Sequence, residues 1–342
     1  MIHVACCFDA NFQTAFAVLA RSIERHSTSD VMIHAIHDGP VEYADFVSRH
    51  LKKTKVTFHD GTGVAERFHS AGRQTRITFV RLFLHEFLQG VRKVIYLDSD
   101  IVVRRDLTPL FAAGPNRSSV AAALDYPLRV MAEQKEFIYG PDTKWRTDDY
   151  IRDLVGLKDV NTYFNAGVLL IDLERYGASG APDRALAFLD RKGASSIFND
   201  QDALNVALEG DFEILDPRWN FIPDFAVLSS QKGVSAELNC ILQLCHDDPW
   251  VVHFAGLKPW ETKERPSHWD FIFWNGLFDL VRANASVISP HLTDLTQECD
   301  RLHDKIDRAQ AARAELLKSR SQLALALWRA IRWKAGLGPE PG

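Results

Sequence analysis

Three short apolar runs, residues 3–8, 31–36 and 55–58, alternate with two stretches of helical periodicity at 14–26 and 41–51. Phe16, Leu19, Ala20 and Ile23 share one helical face in the first stretch, and Phe46, Val47 and Leu51 do so in the second. A β–α–β–α–β order implies parallel strands joined by crossover helices, so an α/β chain with helices on both faces of its sheet is expected. With 342 residues, 46% of them hydrophobic, the chain has room for one large domain or two ordinary ones and a sizeable core.

A fourth strand then ends in carboxylates. Residues 94–97 are apolar and rich in β-branched and aromatic side chains, and they run into Asp98, Ser99 and Asp100. Open α/β sheets take ligands at the C-terminal ends of their strands. Buried carboxylates need a partner or a metal, so Asp98 and Asp100 read as a site for a hard cation. Two carboxylate oxygens would leave most of an octahedral shell to phosphates and water, as for Mg²⁺ or Mn²⁺ holding a nucleotide diphosphate. A solvated acidic turn is the competing reading.

Further along, residues 79–88 read as a helix, 119–124 as a strand ending at Asp125, and 126–160 as a long charged excursion with short helices. A strand within 163–172 carries Asn165, Ala166 and Gly167 at its mouth. Pro182 sits where a first helical turn tolerates proline. Asn199, Asp200, Gln201 and Asp202 precede the apolar helical run 203–208, the position of an N-cap, and capping is the plain role for Asp200. Strands at 212–215 and 250–254 follow, the latter bearing His253, and 268–281 is an aromatic-rich helix.

Asp9 and Asn11, Asp98 and Asp100, and His253 therefore lie at three strand ends, which a parallel sheet would bring to one edge. An imidazole beside two carboxylates suits Mn²⁺ better than Mg²⁺; a core histidine with satisfied nitrogens is the alternative. Lys258, in a turn bounded by glycine and proline, suits a phosphate, or is a solvated loop residue. Arg81 taken alone reads as a surface ion-pair partner. Asp125, Asn165, Asp200, Gln201 and Asp202 could clamp sugar hydroxyls or serve as caps.

Five separated segments, in order over residues 1–280, resemble the retaining glycosyltransferases of family 8, the group of bacterial lipooligosaccharide α-galactosyltransferases, lipopolysaccharide core transferases and glycogenin. They are Phe8-Asp-Ala-Asn-Phe12; Thr78-Phe-Val-Arg-Leu82; Tyr96-Leu-Asp-Ser-Asp100; Phe164-Asn-Ala-Gly-Val168 with Asp200-Gln-Asp202; and His253-Phe-Ala-Gly-Leu-Lys-Pro-Trp260. The resemblance implies a GT-A fold, a Rossmann-like mixed sheet flanked by helices, and Mn²⁺-dependent transfer from a UDP-hexose to a glycan or glycolipid. It implies Asp98, Asp100 and His253 as metal ligands, and Asp9 and Asn11 on the uridine. Gly256 and Lys258 would meet the diphosphate, with Ser99 and Ala166 also against the donor. Arg81, Asp98, Asn165 and Asp200 would hold the donor sugar, Gln201 would face its anomeric carbon, and Asp125 would lie where donor meets acceptor. Phe12 and Phe79 stand where family members often have Tyr, and the segment from His253 to Lys258 is one residue shorter than the usual pattern.

Composition sets the remaining bounds. A net charge of -5 gives no reason to expect nucleic-acid binding. Five cysteines, two of them adjacent, argue against a disulfide framework and for a reducing cytosol. Cys240 and Cys245, beside His246-Asp-Asp248, fit only the loosest zinc spacing and have no evident partner pair. The chain enters a strand at once, with no basic stretch leading into a long apolar one, so no signal peptide is expected. No run approaches the ~20 apolar residues that span a bilayer.

A catalytic domain over 1–285 is expected, followed by a helical tail over 286–337 and a disordered end over 338–342. The tail carries Lys318, Arg320, Arg329, Arg332 and Lys334 with no acid between them, and Leu323, Leu327, Trp328 and Ile331 at helical spacing. Such a helix fits an anionic membrane surface, here the inner face of the cytoplasmic membrane. Leu295, Leu302, Leu316 and Leu323 stand at heptad intervals, interrupted by Ala309 and Arg313, so an oligomer paired through the tail is the alternative. Two other functions compete. Leu97-Asp-Ser-Asp-Ile-Val102 also fits the strand-end pattern of haloacid-dehalogenase-like Mg²⁺ phosphatases, although those place it early in the chain and need a later acidic metal motif. A non-catalytic nucleotide-sugar binder is the other.

Overall fold

Seven strands form the central sheet in a computed structural model that describes residues 1–68, 76–140, 144–223, 233–261, 269–284 and 308. They are β1 (Ile2–Phe8), β2 (Val31–His37), β3 (Thr54–Asp60), β4 (Lys93–Leu97), β6 (Val120–Leu124), β9 (Phe164–Asp172) and β10 (Phe212–Ile214). Two small pairs complete the strands: β5 (Ile101–Val103) with β11 (Val251–His253), and β7 (Phe137–Tyr139) with β8 (Lys144–Arg146). The order in the large sheet is β10-β6-β9-β4-β1-β2-β3.

The expected opening is present: β1, β2 and β3 pair in parallel, with helices Gln13–His26 and Glu42–Ser48 as the crossovers. Alternate residues of each central strand face opposite sides of the sheet. Val94 and Tyr96 of β4 enter one core, with Phe83, Phe164 and Tyr176, while Ile95 and Leu97 enter the other, with Phe8, Phe16 and Leu19. A sheet buried on both faces explains why these strands read as continuous apolar runs. All nine residues of β9 are buried.

Three expectations need correction. The parallel sheet read from the apolar runs alone gives way to the mixed sheet that the family resemblance implies: β9 lies antiparallel between β4 and β6, with Leu97 opposite Val168 and Val120 opposite Ile171. An apolar run states that a strand is buried and not which way it points. Residues 79–88 are not one helix; a 3-10 segment, Arg76–Phe83, gives way to a single α-turn, Leu84–Phe87. Residues 126–160 hold a regular helix, Tyr126–Glu133, the β7–β8 hairpin and a π-helical turn, Tyr150–Val155, rather than short helices alone. The chain divides into units Met1–Leu280 and Val281–Gly342. The tail residues singled out in the sequence, and the expected disordered end, lie outside the described residues. No helix among the described residues is long and apolar enough to cross a membrane.

Candidate active site

The turn between β4 and β5 carries Asp98, Ser99 and Asp100. It is pinned on both sides: Asp98 N donates to Gly167 O of β9 at 2.9 Å, and Phe254 N donates to Asp100 O at 3.0 Å. His253 does not reach the aspartates along a parallel sheet, as expected from sequence. It arrives on β11, antiparallel to β5 and directly opposite Ile101. His253 Nε2 then lies 3.6 Å from Asp98 Oδ2 and 3.5 Å from Asp100 Oδ1. The ring packs on Gly167 so closely that a Cβ there would stand 2.2 Å from His253 Cε1.

Each carboxylate offers the gap one oxygen and is held by the other. Asp98 Oδ1 accepts from Tyr96 OH at 2.8 Å and lies 3.0 Å from Arg81 Nη2. Asp100 Oδ2 is paired with Lys258 Nζ, which also donates to Phe254 O at 2.8 Å. Burial would raise the Asp100 pKa, but the Lys258 and His253 charges outweigh it and hold the carboxyl well below the usual range. His253 is buried and its free Nε2 faces the two free oxygens, so it is not merely a satisfied core histidine. One ligand atom from each of Asp98, Asp100 and His253 lies within 4.8 Å of the others. Cis ligands of an octahedral ion at 2.0–2.1 Å sit about 3 Å apart, so these side chains suit one divalent cation once the two carboxylate oxygens, 3.6 and 3.5 Å from His253 Nε2, close on it by roughly half an ångström.

Arg81 is a buried hub and not a surface residue. Its guanidinium stacks 4.8 Å from the Tyr96 ring centroid, and Nη1 donates to Ala166 O at 2.8 Å. Its Nε lies 2.8 Å from Asp200 Oδ2, yet the Nε hydrogen points to Thr78 O at 3.1 Å, so the contact with Asp200 is ionic rather than an aligned hydrogen bond. Burial works against the Arg81 charge, but Asp200 and Asp98 outweigh it and raise its pKa. Burial pushes Asp200 up to about 6, with Arg81 opposing and Asp98 adding to the rise. Asp200 opens helix Asp200–Ala207 without capping it, which replaces the plain capping role expected for it. Asn199, the N-cap, has φ 43° and makes no side-chain cap bond.

Opposite the aspartates stands a set of amides. Gln201 Oε1 accepts from Ala166 N at 3.0 Å, and Gln201 Nε2 donates to Asp125 Oδ2 at 3.0 Å. Asn165 Nδ2 donates to the same oxygen at 3.0 Å, while Asp125 Oδ1 caps helix Tyr126–Glu133 through Leu128 N at 3.0 Å. Burial raises the Asp125 pKa against these three donors. Asp202 takes no part in the cleft. It is buried, accepting from Ser196 Oγ and Tyr163 OH, each at 2.6 Å, and from Tyr150 OH.

These groups line one cleft of about 390 Å³, together with Asp9, Ser99, Gly256 and Lys258. Two expected residues do not line it. Asn11 is exposed and its backbone N–H donates to Asp9 Oδ1 at 2.9 Å. Ala166 acts only through its backbone, between Gln201 and Arg81. The two phenylalanines in place of tyrosines are used apolarly: Phe79 stacks on Phe68 and Phe12 meets Trp260 edge-on. Sequence reasoning missed the apolar wall of Pro127, Leu128, Met131, Phe198 and Ile222. It also missed Asn220, whose signal was a lone amide between Trp219 and Phe221, a group that must find partners once buried.

A mixed sheet with helices on both faces, ending in an Asp-x-Asp turn that faces a histidine, is the GT-A glycosyltransferase arrangement. The solved structure of the galactosyltransferase LgtC in complex with donor and acceptor sugar analogues matches it with a TM-score of 0.67, at 23% identity, over 82% of this chain and 96% of that one. The family model for glycosyl transferase family 8 matches residues 3–264, and the chain belongs to that family. Among curated relatives, General stress protein A of Bacillus subtilis is 22% identical over 289 residues, 80% of this chain and 92% of that protein. The lipopolysaccharide 1,2-glucosyltransferase of Escherichia coli is 25% identical over 267 residues, 76% of this chain and 72% of that protein.

Proposed function

We propose that this glycosyltransferase retains configuration while moving a hexose, galactose or glucose, from a UDP-sugar to a glycan acceptor. The acceptor is lipopolysaccharide or another cell-surface glycan, and the cation held by Asp98, Asp100 and His253 is Mn²⁺, with Mg²⁺ as the substitute. One observation carries this reading: an Asp–Asp–His set and a wall of buried amides and carboxylates face each other across a single cleft. The name of the Escherichia coli relative supports a lipopolysaccharide acceptor.

When bound, the cation would offset the charge that develops on the departing diphosphate. Lys258, already paired with Asp100 at the cleft, supplies a second positive charge for the phosphates. Asp9, which lines the cleft at the end of β1, takes the uridine side with Asn11, and Gly256 admits the diphosphate backbone. Arg81 holds Asp98 and Asp200 apart from each other and in fixed orientation, so both can accept from donor hydroxyls. Gln201 is held at both ends of its amide, a poor nucleophile. The bond from the anomeric carbon to the phosphate breaks while the acceptor oxygen bonds from the same face. The acceptor's proton passes to the phosphate oxygen that leaves. The apolar wall beside Asp125 suits the hydrophobic face of an acceptor sugar.

A donor screen by product release across UDP-sugars, with and without Mn²⁺, tests this. Activity is expected only with the cation and is expected to vanish in Asp100→Ala. Equal turnover in EDTA and in that variant would refute it. The phosphatase alternative has less support: the metal-capable cluster includes a histidine, for which that chemistry has no role. It would require phosphomonoester cleavage supported by Mg²⁺ and lost in Asp98→Asn. On the same proposal the enzyme works in the cytoplasm, docked on the inner membrane face through its basic tail.

A further inference from the structure

Asn220 touches both halves of the site without lining the cleft. It ends the 3-10 turn Pro217–Asn220 and is 5% exposed. The residue that follows it is tied to β11 by both its backbone groups: Phe221 N donates to Val251 O at 3.1 Å, and His253 N donates to Phe221 O at 2.8 Å. Asn220 Oδ1 lies 2.9 Å from His253 Nδ1, and Asn220 Nδ2 lies 2.8 Å from Asn165 Oδ1.

Which atom of each amide is oxygen follows from one main-chain group. Gly167 N carries a hydrogen and points at the Asn165 side chain at 3.0 Å, so the atom it meets must be the acceptor, Oδ1. Asn165 Nδ2 is thereby turned to Asp125 Oδ2, an acceptor, at 3.0 Å. The Asn220 atom facing Asn165 Oδ1 must be a donor, Nδ2. That leaves Asn220 Oδ1 against the imidazole, and only a protonated Nδ1 can donate to it. When the ring is neutral, Nε2 is then bare and faces Asp98 Oδ2 and Asp100 Oδ1.

We infer that Asn220 is a positioning residue that transmits the orientation set by the Gly167 amide to the His253 imidazole. It fixes the tautomer that presents a lone pair at Nε2, and it aligns Asn165 with Asp125 and Gln201. This rests on the reading of Asp98, Asp100 and His253 as a cation site. The two ends of the Asn220 amide have separable duties. Asn220→Asp keeps the acceptor for His253 Nδ1 and loses the donor for Asn165, whereas Asn220→Leu loses both.

Two measurements on the full chain test the inference. The first is ring-nitrogen NMR of the ¹⁵N-histidine-labelled, metal-free protein, with His253 assigned by difference from His253→Gln. With the pH raised until the ring is neutral, a protonated Nδ1 and a bare Nε2 are expected; the opposite tautomer overturns the inference without reference to any metal. The second is the affinity for Mn²⁺ alone, read from the free-ion EPR signal, followed by kcat at saturating Mn²⁺. Asn220→Leu is expected to weaken Mn²⁺ about 10–100-fold, the usual effect of removing a group that orients a ligating histidine. Asn220→Asp is expected to restore the affinity to within about threefold of the parent, while kcat stays down by about tenfold. Loss of affinity in Asn220→Asp equal to that in Asn220→Leu would overturn the inference, as would parental affinity in Asn220→Leu. A parent protein that binds no Mn²⁺ while His253 shows the expected tautomer would overturn the cation reading, and with it the duty assigned to Asn220 toward the metal.

Discussion

Gly167→Ala should disable the cation site proposed at Asp98, Asp100 and His253. Gly167 does not have a left-handed φ, so alanine meets no backbone penalty there, and the effect is purely one of space. The new methyl carbon would stand 2.2 Å from His253 Cε1, 2.7 Å from Nδ1 and 3.0 Å from Asp98 Oδ2. Carbon atoms pack at about 3.5 Å, so the imidazole must retreat by roughly 1.3 Å. Metal sites tolerate errors of about 0.2 Å in ligand distance, so this shift is several times too large. The hydrogen bond to Asn220, now 2.9 Å, should be lost as well. Mn²⁺ affinity is expected to fall about 10–100-fold, equivalent to about 1.4–2.7 kcal/mol. Overpacking of this kind also destabilises a fold by about 1–3 kcal/mol, so the titration is made at a temperature where circular dichroism shows the variant folded. Affinity within about twofold of the parent would refute the claim that His253 packed on Gly167 is a ligand.

Removing the buried guanidinium in Arg81→Met should leave Asp98 and Asp200 unpaired and lower stability by about 3–5 kcal/mol in urea unfolding; a loss under about 1 kcal/mol would show the pair to be dispensable. The raised pKa of Asp200 carries a sign. The folded state holds the proton up to about 6, against 3.8 for the ordinary side chain, so this group's contribution to stability falls as pH rises through that window. In EDTA, Asp200→Asn should therefore gain on the parent between those pH values, by on the order of 3 kcal/mol at most; a difference independent of pH would contradict it. Deleting the chain after Leu316 is expected to lower sedimentation with anionic liposomes while sparing hydrolysis of soluble donor; unchanged liposome binding would exclude the tail as the anchor.

Much of the cleft was legible because the polar groups that line it stand at ends of apolar runs. Asp98 and Asp100 end β4, Asn165 lies in β9, and Asp125 ends β6, each marked by the change from apolar to polar. Direction was not legible. The antiparallel insertion of β9 and the delivery of His253 by a separate strand pair depend on which neighbour each strand finds, and periodicity within a strand carries no such information. Arg81 was misjudged as exposed for a related reason: a charge between Val80 and Leu82 looks like a surface group until two carboxylates, distant in sequence, are brought beside it. Asp200 and Asp202 have the same side chain two positions apart, yet one lines the cleft and the other is enclosed by tyrosines and a serine. Helical phase separates them, and a short cluster at a helix start does not fix that phase.

The arrangement of β5 and β11 sets the order in which the site can be assembled. Every strand of the central sheet lies within residues 2–214, but the imidazole belongs to residue 253 and the ammonium to residue 258. The scaffold can therefore close before its chemistry exists. A ribosome-bound chain that has emerged only as far as β10 holds the two aspartates of the Asp-x-Asp turn but not His253, and the grip proposed for a cation is completed by almost the last part of the domain to be made.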